Sequence, residues 1–252
     1  MVTSMVSSHF KEHMKNYRST LFLSDEQLIQ KYNESAVEYS KYLNSSLMFI
    51  YSSGRNASCN IYETFFGEEN LIHLTGCTAR KENEDGEVIS EAKYGAVEFY
   101  RHCLDNNITL EDVLFKHNKE TSRKKAYILP RLLDFSNSKF YKIGKHDKIN
   151  LHNDFEVAIG FQIGILGFGY WNKMIPHSIP VTVLPNDISE YSSCPYKIIY
   201  VLQNDGFVDR NCPTKYSKIL YEIKKGIFYE EANKCLTKNI LEKIDSALYK
   251  QS

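Results

Sequence analysis

The spacing of apolar residues changes character along this chain. In residues 24–44, Leu28, Ile29, Tyr32, Ala36, Tyr39 and Leu43 recur at helical intervals behind a capping serine, Ser24, with acidic residues in the first turn. That pattern predicts an amphipathic helix. The run LMFIYSS, a Ser/Gly/Asn turn and a second short run predict a hairpin over residues 46–62. TFFGEENLIHLTG reads as a short helical piece closing on Gly76, and residues 81–90 as an exposed loop. Three helical stretches follow: EAKYGAVEFYRHCLDNN, TLEDVLFKHN with a capping-box pattern from Thr109 to Asp112, and SRKKAYILPRLLDF. Pro130 is expected to kink or split the last of these.

From about residue 138 the period shortens. SKFYKIG, EVAIGFQI, ILGFGYW, SIPVTVLP and YKIIYVLQ are β-rich runs separated by Gly, Asn, Asp and Pro signals, as in an antiparallel meander. After Pro213 the pattern reverts to helix, with Ile219, Leu220, Ile223, Ile227 and Phe228 on one side. Helices first and strands afterwards place the chain in the α+β class, with N-terminal and inserted helices packed on one face of a C-terminal antiparallel sheet and a helical tail.

Composition narrows the function classes. Lys+Arg and Asp+Glu are both 31, so no overall field draws the 252-residue chain to nucleic acid or a membrane, and any electrostatic argument must be local. No run reaches the roughly 18 to 20 apolar residues of a membrane span, and the amino terminus lacks a signal-like apolar core. Six scattered cysteines without a CxxC pair argue against structural zinc and for reduced thiols, hence a cytoplasmic protein.

Strong catalytic signatures are missing: no P-loop, HExxH, EF-hand loop or GxSxG elbow occurs. Gly164, Gly167 and Gly169 lie inside β-rich sequence and suit bulges or tight curvature more than a phosphate cradle. Among the eight histidines, His9 and His13 lie in a polar terminal stretch, His102 and His117 sit near predicted helix ends, and His177 lies in a turn. His73 ends a short apolar helix, where an imidazole can exchange a proton with a ligand or simply pack half-buried. Between Lys116 and Lys148, ten basic residues face three acidic ones, a local excess of +7. With Tyr127, Phe140 and Tyr141 interleaved, that stretch forms either a phosphate- and base-binding face or an ordinary solvated surface. In SIPVTVLP, strand alternation turns Val181 and Val183 to the core and Thr182 to the other side, where its hydroxyl can donate to a phosphate or stand idle.

The order LMFIYSS, HLTG, IGF, LGFG, IPVTVLP and YKIIYVL resembles the phage-associated branch of the Barnase/EndoU/colicin/RelE-like nuclease superfamily, in particular its fourth phage subgroup. LIHLTG (Leu71–Gly76) and IPVTVLP (Ile179–Pro185) are the most specific elements. The resemblance divides the chain into a helical extension (1–35), a nuclease domain (36–203) with a helical insertion at about 91–135, and a helical tail (204–252). It implies helices followed by a four-stranded antiparallel sheet, and a ribonuclease that needs no metal or other cofactor.

It further implies His73, Lys142 or Lys145, and Thr182 as catalytic candidates. Beside them, Thr75, Arg131, Tyr141 and His146 are expected to contact substrate, with His146 as a possible second proton carrier. RNA carries its own nucleophile, so cleavage needs a base for the 2′-OH, an acid for the 5′ oxygen and stabilisation of the phosphorane. The expectation is thus a metal-independent endoribonuclease of phage or mobile-element origin, or a toxin-like effector, acting on RNA in the cytoplasm. A protein inhibitor or self-association through the C-terminal helices would be its further partners. The competing expectation is a non-catalytic RNA- or protein-binding module that keeps the nuclease fold.

Overall fold

A computed structural model describes residues 23–52, 59–147, 155–170, 178–204, 215–223, 234, 236–245 and 248; the side chains of 138–140 lie outside the description. His9, His13 and His177, Phe140's ring, Lys148 and the tail positions Ile227 and Phe228 therefore fall outside it. The first helix, α1 (Asp25–Ser40), starts as its sequence requires. The Ser24 hydroxyl accepts from the Gln27 N–H while the Gln27 side chain accepts from the Ser24 N–H. Its buried stripe is Leu28, Tyr32, Ser35, Ala36 and Tyr39. The helix crosses residue 35 without a break.

Strands β1 (Ser46–Ser52) and β2 (Cys59–Phe65) form the expected hairpin. A single turn, α2 (Leu71–Leu74), follows, then β3 (Arg80–Glu82) and β4 (Val88–Glu91). These last two pair as a small hairpin around Asn83 and Gly86 where a loop was expected. Neither strand buries a residue, so no alternation of apolar residues announces them. Helices α3 (Ala96–Leu104) and α4 (Lys119–Leu132) come next. The helix expected over TLEDVLFKHN is instead one 3₁₀ turn, Leu110–Asp112, and Val113 is already extended. Asp112 takes bonds from the Thr109 N–H and hydroxyl and from Lys93, so the capping box forms but the chain then leaves to bridge Phe115 with Cys77. Pro130 does not split α4, which runs on to Leu132; the proline lies in its last turn.

The meander forms β5 (Lys142–Lys145), β6 (Val157–Phe161), β7 (Gly164–Gly169), β8 (Ile179–Leu184) and β9 (Tyr196–Gln203), and β10 (Lys218–Glu222) follows. All belong with the first hairpin to one eight-stranded sheet, ordered β2-β1-β9-β5-β6-β7-β8 with β10 also on β9. The four-stranded sheet implied by the resemblance is thus enlarged. The tail expectation is corrected too: Ile219 and Leu220 lie in a strand. β5 covers only Tyr196 and Lys197 on one edge of β9, and β10 pairs with the backbone groups left open from Tyr200 to Gln203. A short helix, α5 (Lys238–Leu241), lies in the tail, and Lys234 is helical as well.

The two ends of the strand path meet. Thr64 bridges Ser178, and the Phe65 N–H donates to the Ser178 carbonyl, so the sheet curls back on itself. Its helix-side face carries the main core, in which Phe49, Phe66, Phe135 and Phe168 meet edge-on or tilted with Tyr42. On the outer face, Tyr216, Leu236, Ile240, Ile244 and Leu248 of the tail cover Met48, Ile50, Tyr200 and Leu202. A third cluster, Phe155, Ala158, Ile165, Ile188 and Tyr191, covers the outer face of β6 and β7.

Candidate functional site

The LIHLTG segment is built around its glycine. Gly76 has φ +80, and a Cβ there would meet the Ser122 Oγ at 2.8 Å and the Lys125 Cδ at 3.1 Å. Glycine therefore lets the turn after α2 press against α4, where the Ser122 hydroxyl donates to the Gly76 carbonyl at 3.0 Å. The same carbonyl accepts from the Lys116 N–H at 3.0 Å. His73 on α2, Lys116 and His117 before α4, and Lys125 on α4 are thereby drawn to one place.

Thr182 arrives from the sheet. Gly167 pairs with Thr182 but the next residue, Phe168, pairs with Pro180, leaving Val181 opposite nothing. This β-bulge undoes the expected alternation: Val183 packs in the main core while Val181 joins the third cluster. A Cβ on Gly167 would lie 2.8 Å from the Thr182 Cγ2, so the glycine gives the bulge its room. The Thr182 Oγ1 accepts from the Lys125 Nζ at 3.2 Å.

Lys125 is the unexpected member. It lies on the buried stripe of α4 with Ser122, Ala126, Ile128, Leu129 and Leu132, and is only 7% exposed. Burial, then the like charge of Lys116, pulls its ammonium down to about 8, with the Cys77 thiol acting weakly the other way. No carboxylate enters that balance. His73, half-buried, is lowered from its ordinary value by burial and then by Lys116 and Lys125. His117, exposed, is lowered by burial and by Lys116, Lys125 and Lys81. One buried cation thus acts on two histidines and bonds a threonine hydroxyl.

The other sequence candidates are dispersed. Thr75 is fully buried and its hydroxyl donates to the Ile72 carbonyl at 2.7 Å, holding the end of α2 rather than facing solvent. Lys142 and Lys145 are exposed on β5. The register Thr182–Gly167–Ala158–Gly144 puts that strand three spacings from Thr182, about 14 Å. Lys142 stands directly opposite Lys197. Arg131 lies over the Tyr127 ring in a groove of about 520 Å³ between α1 and α4. Glu34, Glu38 and Asp134 also line that groove and oppose an anion there. Tyr141 is buried, its hydroxyl donating to the Arg131 carbonyl. His146 stacks on Phe155 at 4.5 Å beside Tyr191, in the third cluster and away from α2.

The basic stretch is likewise divided. Lys119 and Arg123 pair with Asp25, and Lys124 with Glu120, whereas Lys116 and Lys125 have no ion pair among the described residues. The sequence did hold a signal for Lys125, a lysine at i, i+3, i+4, i+7 spacing with apolar neighbours, which marks a charge on a buried face. The lysine density around it masked that signal.

A family model described as phage-Barnase-EndoU-ColicinE5/D-RelE like nuclease 4 matches residues 32–206, more than half of the chain. The chain belongs to that nuclease family, and its α+β architecture of helices and a large antiparallel sheet agrees. No curated protein and no solved structure matches it. Among the described residues no helix is long and apolar enough to cross a membrane.

Proposed function

We propose that this member of a phage-associated nuclease family is a metal-independent endoribonuclease, cleaving RNA by attack of the 2′-OH on the adjacent phosphate. The observation that carries the reading is Lys125, a buried cation without a carboxylate partner, bonded to Thr182 within the field of His73 and His117. Keeping an ammonium buried costs stability unless an anion completes it. A phosphodiester is such an anion.

In this mechanism neutral His73 accepts the 2′-OH proton as the O2′–P bond forms. Lys125 and the Thr182 hydroxyl hold a non-bridging oxygen as charge builds on the phosphorane. His117 in its protonated form donates to the 5′ oxygen as the P–O5′ bond breaks, leaving a 2′,3′-cyclic phosphate and a free 5′-OH. The electrostatic role thus moves from Lys142 or Lys145 to Lys125, and the second proton carrier from His146 to His117. Metal independence is supported by the charges themselves, because Lys116 and Lys125 repel a divalent cation from the position the phosphate would take. Cleavage of RNA is compatible with a cytoplasmic site of action and a toxin-like role.

The test is incubation of the purified full chain with total RNA and tRNA in excess chelator, followed by end-group analysis. Expected are 2′,3′-cyclic phosphate ends, falling by about 10²- to 10⁴-fold in His73→Ala with the circular dichroism unchanged. Strict Mg²⁺ dependence would overturn the mechanism. RNA retained but never cut would favour the binding module.

A further inference from the structure

Away from His73, tyrosines gather at one end of the curled sheet. Tyr51 on β1 and Tyr196 on β9 stack with centroids 5.9 Å apart and planes 26° apart, both only partly buried. Tyr62 on β2 stands edge-on to Phe168 at 5.9 Å and lies within electrostatic reach of Tyr51, Tyr170 and Glu156. Tyr170, just past β7, is 50% exposed, an unusual position for a large aromatic ring. Tyr51, Tyr62 and Tyr196 all pack on the main core and so share the helix-side face of the sheet.

A cation shares that face. Tyr196 lies opposite Ile143, a main-core residue, and two positions further along β5 strand alternation returns Lys145 to the same side. Lys145 is exposed and opposite Val157, which also packs on the main core. Partly exposed aromatic faces beside a lysine match the two parts of single-stranded nucleic acid, unstacked bases and a phosphate backbone. A folded duplex buries its base faces and gains little here.

The platform is tied to the reacting end. Tyr62 lies two residues before Thr64 on the same face of β2, Thr64 bridges Ser178, and Ser178 precedes Thr182 by four residues, about 13 Å of extended chain. We propose that Tyr51, Tyr62, Tyr170, Tyr196 and Lys145 form a base-stacking subsite that holds single-stranded RNA a few nucleotides from the scissile phosphate. Glu156 beside Tyr62 supplies an acceptor for the amino group of a bound base. Lys145, a catalytic candidate by resemblance, acts here as a backbone anchor. The subsite rests on the nuclease reading for its substrate, but its binding does not depend on cleavage.

The experiment measures binding of a fluorescein-labelled 2′-O-methyl oligouridine, which lacks the nucleophile, to the full chain in chelator. Tyr170→Ala and Tyr196→Ala should each weaken binding roughly 5- to 100-fold, while Tyr196→Phe, which keeps the ring, should bind like wild type. Lys145→Ala should weaken binding and lower the salt slope by about 0.7. Natively folded Tyr170→Ala and Tyr196→Ala proteins that bind like wild type would overturn the subsite, even if RNA is cut. Weakened binding together with a wild type that never cuts RNA would sink the mechanism and leave the subsite standing.

Discussion

Two mostly buried charges, one on the sheet and one on a helix packed against it, are handled in opposite ways. Glu63 on the outer face of β2 is surrounded by partners: the Tyr216 hydroxyl donates to one carboxylate oxygen at 2.8 Å and the Lys243 ammonium to the other at 2.5 Å. Lys125 on the helix side meets one neutral hydroxyl and the like charge of Lys116. The first arrangement ties the tail to the strands and finishes its own electrostatics. The second leaves a charge incomplete, and an incomplete buried charge lowers stability unless something else binds it. The outer face is therefore read as architecture and the helix side as chemistry.

Replacing Lys125 by Met breaks the comparison most severely. Turnover should fall about 10²- to 10³-fold, the usual loss for one group that stabilises developing charge. Stability should rise, by about 1–3 kcal/mol in denaturant titration at pH 7, because a buried cation is exchanged for an apolar chain of similar length. The pH dependence follows the same sign. The folded ammonium titrates near 8 and the unfolded one at 10.5, so between those values the unfolded chain binds more protons and wild-type stability rises with pH. The advantage of the Met variant should accordingly shrink from pH 8 to pH 10. Wild-type turnover should decline on the acid side as His73 becomes protonated and on the alkaline side in two steps, first as His117, also lowered from its ordinary value, loses its proton and again near pH 8 as Lys125 does. A Met variant less stable than wild type at pH 7 would mean that Lys125 is a structural residue.

The mirror experiment is Glu63→Ala. It leaves the fully buried Tyr216 hydroxyl without its acceptor and frees Lys243 to solvent, at a cost of about 1–3 kcal/mol read by thermal or chemical unfolding. Turnover per folded molecule should stay at the wild-type value. Loss of turnover in the folded fraction would show that the outer face and the helix side are coupled.

The same contrast explains what the sequence disclosed. Local signals were reliable: Ser24 capped α1, residues 46–52 and 59–65 paired as a hairpin, and the meander strands appeared where β-rich runs lay between turn residues. His73 and Thr182 were legible as candidates because one motif each carried them. Contacts made across long separations were not. Nothing local tells that Lys218–Glu222 completes the open edge of β9, or that Lys125 meets Thr182 across 57 positions. Lys142 and Lys145 looked central because they crowd with His146 in sequence. Strand order then put two strands between β5 and Thr182.

The smallest expected effect is also the sharpest, because it touches the bond that joins helix to sheet. Thr182→Val keeps the branched shape but deletes the acceptor of the Lys125 ammonium and one donor to the proposed phosphate oxygen. With its hydrogen bond gone and its burial unchanged, the ammonium is harder to keep charged, so its titration moves further down. Turnover at pH 7 should fall about tenfold, less than for Lys125→Met because the cation remains. The alkaline step near pH 8 should shift to lower pH by a measurable fraction of a unit. Thr182→Ser, which restores the hydroxyl, should recover both. A valine variant with wild-type turnover and an unmoved alkaline limb would separate Thr182 from the reaction and leave Lys125 acting alone.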